Sequence, residues 1–187
     1  MGETKYTIEI PEENKDYYRK AFLLMNLIDN DFYKIFLQKD RIEKDITENN
    51  LKSIFADIHF FLISLSGLKR GLDELKKISK DDKDYEKIYE NYIGKIESLK
   101  VFRDHLEHIH DGRLEGKGKN GKPLKTPAML GNLINGNYDL GGESFNLPET
   151  FKFLENLKKE MIDWNLDKKI YPFWYVDEIV NINMMKK

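Results

Sequence analysis

The sequence predicts an all-α fold: an antiparallel bundle of four to five helices, with a small β-hairpin inserted after the third helix. Three observations lead there. Apolar residues recur at spacings of three, four and seven over long stretches. Charged residues make up 34% of the chain, which suits helices with one wet face. The helical patterns are separated by short breaks and by a single glycine-rich region. At 187 residues, 40% of them apolar and 12% aromatic, the chain is long enough to bury a core and is expected to form one domain over 1–187.

Residues 5–10 (Lys-Tyr-Thr-Ile-Glu-Ile) alternate and read as a short strand or extended arm. Pro11 suits the first turn of a helix, expected over 12–39 with Tyr18, Phe22, Met25, Phe32, Ile35 and Phe36 inward. Thr47 reads as an N-cap, with Asn50 where a capping box would place Glu or Gln. The second helix, 48–79, carries the longest apolar stripe, from Leu51 and Ile54 to Leu72 and Leu75, and is expected at the centre of the core. Its Gly67 and Gly71 allow a bend or a close approach by another helix. Ser79, Asp81 and Asp82 form the next break. The third helix is expected over 83–111, with Ile88, Tyr92, Ile96, Leu99, Phe102, Leu106 and Ile109 inward and Gly112 beyond its end.

Composition then changes. In 112–127 glycine is frequent, and Arg113, Lys117, Lys119, Lys122 and Lys125 face the single acid Glu115, so a basic loop is expected. In 128–146, Asn135-Gly136 favours a tight turn and predicts the hairpin. Pro148 and Thr150 open a helix over 149–164, with Phe151, Leu154, Leu157, Met161 and Trp164 inward. The tail from Ile170 through Val176 is too aromatic to be left in water and is expected to pack on the bundle or on a second subunit.

Several classes of function are excluded. A formal charge of −2 draws the whole protein to neither nucleic acid nor anionic lipid, so any such contact must be a local patch. With no cysteine, disulfide frameworks, thiolate metal sites and cysteine nucleophiles are absent. Ile58–Leu68, the best apolar run, is too short to span a membrane. Residues 1–16 lack the regions of a signal peptide, and Tyr6 stands where myristoylation favours Ser or Thr, so a cytoplasmic location is expected. Gly116, Gly118 and Gly121 form no phosphate loop.

The segment suited to chemistry is 103–113, Arg-Asp-His-Leu-Glu-His-Ile-His-Asp-Gly-Arg, which holds three of the four histidines. Imidazoles titrate near neutrality, and beside arginine and carboxylates they supply what proton transfer on a phosphodiester requires. At about 100° per residue, Arg103, Glu107 and His110 share a face at the edge of the apolar stripe. His108 stands roughly 140° from Arg103, so the two converge only through a bend or a partner helix. His105 reads as a surface residue.

Arg103-Asp104 followed by His108 resembles the Arg-x4–6-His motif of HEPN domains, small helical bundles common in prokaryotic defence and toxin–antitoxin systems; His110 fits the six-residue spacing. The resemblance implies a metal-independent endoribonuclease, without cofactor or metal, acting as a homodimer with a composite site, and it allows an antitoxin-type protein partner. In that reading His108 or His110 is the general base towards a ribose 2′-hydroxyl. Arg103 stabilises charge on the scissile phosphate, and Asp104 orients either side chain. Glu107, Arg113, Lys117, Lys119 and Lys122 bind the RNA substrate, the loop through charge alone. The long insertion directly after the motif departs from the family pattern. Two alternatives stand beside it. One is a non-catalytic dimerisation or interaction module in which Arg103–Glu107 is an ordinary i,i+4 pair. The other is a metal-binding bundle. Glu107-x-x-His110 is half of a di-iron motif, but His59 has Ala56 three residues before it, leaving at most a zinc held by His105, His108 and Asp111.

Overall fold

A computed structural model of the chain describes residues 14–108, 116–117, 122–124 and 131–170. It is mostly helical, with four helices and one small antiparallel sheet. Helix α1 spans Lys15–Glu48, α2 Leu51–Ile78, α3 Lys83–Glu107 and α4 Leu147–Lys168. Strands β1 (Asn132–Ile134), β2 (Asn137–Leu140) and β3 (Glu143–Asn146) lie between α3 and α4 in sequence. They pair in the order β1-β2-β3.

α1 runs nine residues past the expected stop at 39. Ile42 falls seven after Ile35 and is buried with it, so the stripe continues through the charged run. The helix ends where Asn49 turns left-handed, φ 55°, and returns its N–H to the carbonyls of Asp45 and Ile46. Thr47 is therefore no N-cap: its hydroxyl donates to the Glu43 carbonyl at 3.0 Å, inside the last turn. Phe22, expected inward, is 37% exposed, and Ala21 and Ile28 are buried instead. The expected strand 5–10 and the aromatic tail beyond Ile170 lie outside the described residues.

α2 is the centre of the core, with Ile54, Ile58, Phe61, Leu62, Leu65, Leu68, Leu72 and Leu75 all buried. α1 lies antiparallel to it. A Cβ on Gly71 would stand 2.7 Å from Ile28 Cγ1, so the absence of a side chain lets the two helices approach. At the other end the pair is held by charge. Asp57 is 1% exposed, and Arg41 donates through Nε to its Oδ2 at 3.3 Å, with Nη2 3.1 Å from Oδ1. Removing one partner of such a pair leaves a buried charge, which costs more than the pair contributes.

α3 returns beside α2. Tyr85 donates to the Leu72 carbonyl at 2.8 Å, and Lys69 reaches Glu97 at 2.9 Å. Asp82 caps α3, its side chain accepting the N–H groups of Asp84 and Tyr85, and it also accepts the Trp164 indole N–H at 3.1 Å. One aspartate thereby joins the start of α3 to the end of α4. α4 begins two residues before the expected start, capped by Asn146, whose side chain accepts the Glu149 N–H at 2.9 Å. Its inward residues Phe151, Leu154, Leu157, Met161 and Trp164 are all buried.

The segment read as a single hairpin is a three-stranded meander. Asn135 and Gly136, at φ 50° and 79°, connect β1 to β2; Gly141 and Gly142, at 63° and 84°, connect β2 to β3. The second Gly-Gly pair makes a second tight turn, because two consecutive residues at positive φ fit that connection. The sheet docks by aromatic contacts. Phe145 lies 4.7 Å from Phe102 and 5.5 Å from Tyr138, ring centre to ring centre, and Tyr138 also meets Phe55 at 6.2 Å.

Two substitutions test this packing. Arg41→Ala should lower unfolding free energy by about 1–3 kcal/mol, because the Asp57 carboxylate loses its cation while the exposed side of the gap admits water. Chemical denaturation reads it, and an unchanged midpoint would show that the pair contributes nothing. Gly141→Ala should cost about 1–3 kcal/mol through its left-handed backbone, and the melting temperature should fall accordingly.

Candidate functional site

The site is built where α3 ends. Phe102 faces the core and fixes the rotation of the helix, so its neighbour Arg103 stands at the flank, with 30% of its side chain exposed. One turn later Glu107 meets it, and Arg103 donates through Nη2 to Glu107 Oε2. That bond uses one donor position of the guanidinium fork, leaving the others for an oxyanion. Glu107 titrates below its ordinary value, first because of the Arg103 hydrogen bond and, more weakly, because of the nearby imidazoles of His59 and His108. Arg103 in turn holds its proton more tightly for the same reason.

His108 is the C-cap of α3, exposed, with its backbone N–H on the Asp104 carbonyl at 3.2 Å. Asp104 is half-buried and near enough to Arg103 to act on its charge. The structure thus brings Arg103, Asp104, Glu107 and His108 together. Arg103 and His108, splayed around one helix, are linked through Glu107, which lies within electrostatic reach of both.

His59 joins them from α2. It is half-buried, its ring lies 6.3 Å from that of Phe60, and its Nε2 is enclosed without a hydrogen-bond partner. It lies forty-eight residues before Glu107, so no local pattern couples the two. The only hint in the sequence is that an imidazole sits one residue after Ile58 on the most apolar helix.

His105 is a correction. Expected at the surface, it is 3% exposed. The β2–β3 turn covers it, and a Cβ on Gly141 would stand 2.8 Å from its Nε2. The helix face that looks wet in isolation is the face on which the sheet docks. Lys117 and Lys122 are exposed, on two short pieces bridged at Lys117–Pro123. His110, Asp111, Arg113 and Lys119 lie outside the described residues. Among the described residues, no three His, Asp or Glu side chains stand close enough to hold a metal ion, and no helix is long and apolar enough to cross a membrane.

The lowered Glu107 pKa sets a pH signature. A carboxyl whose folded pKa lies below the ordinary 4.5 adds stability above that value and loses it as pH falls through the folded pKa. The stability difference between wild type and Glu107→Gln should therefore shrink between about pH 6 and pH 3. Its size near neutrality should be no more than about 1 kcal/mol, since the pair is partly solvated. Denaturant melts across that range read the difference, and a gap that widens towards acid would refute the assignment.

No family model, no curated protein and no solved structure matches the chain.

Proposed function

We propose that the chain is a HEPN-like, metal-independent endoribonuclease or RNA-binding protein of prokaryotic defence or stress response. It acts in the cytoplasm as a homodimer of antiparallel helical bundles, with an antitoxin-type protein as a partner. One observation carries the reading: a guanidinium, the carboxylate that orients it and two imidazoles gather at the end of α3, Arg103 lying on the wall of an open cleft.

Each group has a chemical task. Arg103, with donors left over from Glu107, takes a phosphate oxygen on which charge develops. His108 accepts the proton of the attacking ribose 2′-hydroxyl, and an imidazole can both take that proton and return one to the leaving oxygen. His110 is the alternative base. His59 supplies a second imidazole to the same carboxylate. Asp104 and Glu107 orient Arg103. Two such clusters brought together by a two-fold axis would supply a base and an acid to opposite sides of one phosphodiester.

Arg103→Ala and His108→Ala should each abolish cleavage of a labelled RNA in EDTA, with the circular dichroism spectrum unchanged. A requirement for divalent metal would sink the mechanism, and cleavage untouched by either substitution would sink the site.

A second reading, a non-catalytic interaction module, is favoured by a different feature. Leu23 with Leu27, one turn apart on α1, and Phe60 with Ile63, one turn apart on α2, are each 40% exposed or more, and contiguous exposed apolar surface commonly marks a protein interface. That reading expects no cleavage of any RNA by the pure protein, and loss of self-association or partner capture in Leu27→Asp or Phe60→Asp.

A further inference from the structure

The cleft on which Arg103 opens runs between α2 and α3 and encloses about 210 Å³. That is below the roughly 300–1,000 Å³ of pockets that swallow a whole small molecule, so a ligand lies along it rather than inside it. Its floor is aliphatic, from Leu62 and Leu65 on α2 and Ile96 and Leu99 on α3. Its walls carry four cations, Lys69, Arg70, Lys100 and Arg103, against the single acid Asp73. Lys69 is committed to its own carboxylates, 2.8 Å from Asp73 and 2.9 Å from Glu97. Arg70 and Lys100 differ: both are exposed, both line the cleft, and neither has an ion pair or hydrogen bond among the described residues. Two uncommitted cations thus lie in the same trough as Arg103, over a low-dielectric floor that strengthens their pull on an anion.

We propose that Arg70 and Lys100 bind the phosphates next to the one held by Arg103, so that the α2–α3 cleft is the track for the substrate's backbone. The proposal rests on the ribonuclease reading for the identity of the polymer, and it names binding residues outside the basic segment that follows α3. It also specifies how the strand is held. Proteins that grip unpaired bases stack them on aromatic rings, and no aromatic side chain lines this cleft. The contact is therefore with phosphate and ribose and indifferent to base identity.

The test is fluorescence anisotropy of full-length protein with labelled oligo-uridylate and oligo-adenylate across a salt series. Each phosphate neutralised on a single strand contributes about 0.7 to the slope of log affinity against log salt. The double variant Arg70→Gln/Lys100→Gln should lose about 1.4 from that slope, with weaker binding by the same factor on both oligomers. The control Lys80→Gln/Lys87→Gln removes the same charge from exposed positions that do not line the cleft and should leave the slope in place. Thermal melts confirm that both variants fold, as expected for exposed side chains. If wild type binds RNA and the Arg70/Lys100 variant binds it with the same slope, the track is wrong while the Arg103 site stands. An equal loss in the control reduces the effect to overall charge and overturns the track as well. A loss confined to one oligomer overturns base-indifferent binding. If wild type binds no RNA at low salt, the ribonuclease reading falls and the track falls with it.

Discussion

The docking of the sheet on the last turns of α3 is the contact on which the site depends. Phe145 packs against Phe102 in an edge-to-face contact, a geometry that contributes about 0.5–1.5 kcal/mol beyond the area buried, and the β2–β3 turn closes over His105. Together they fix the rotation of α3 about its axis. With Phe102 and His105 facing the sheet and core, Arg103 and Glu107 must face the other flank, towards α2. A helix free to roll would not hold a guanidinium at the edge of a cleft.

The same contact shares the histidines out. His105, within five residues of two other histidines in sequence, is taken into the packing, while His59, distant in sequence, is brought into range of Glu107. Both outcomes follow from the helices crossing the molecule side by side. The partner of a side chain is then set by which residue of the neighbouring helix stands at the same height. Lys69 opposite Glu97 and Tyr92 opposite Glu160 are pairs of the same origin.

Charge is distributed unevenly in its function. Many lysines and acids on the helix surfaces satisfy one another one turn apart, such as Lys20 with Asp16 and Lys77 with Glu74, and such exposed pairs contribute at most about 1 kcal/mol each. The buried Asp57 with Arg41 instead holds α1 and α2 in register. Arg70 and Lys100 do neither, and what distinguishes them is their place in the α2–α3 cleft beside Arg103.

Much of the architecture was legible in the sequence. The inward stripes of α2 and α4, the break at 79–82 and the strand-forming character of the region near Asn135-Gly136 follow from periodicity and turn chemistry, which act between residues a few positions apart. Arg103 with Glu107 was legible for the same reason, being one helical turn. The continuation of α1 through Ile42 was also local, hidden only by the charged residues around it. The tertiary structure alone decided the burial of His105, the arrival of His59 beside Glu107 and the pairing of Asp57 with Arg41. Each joins residues far apart in the chain, and hydrophobic periodicity says which face of a helix is buried but not which element will cover it.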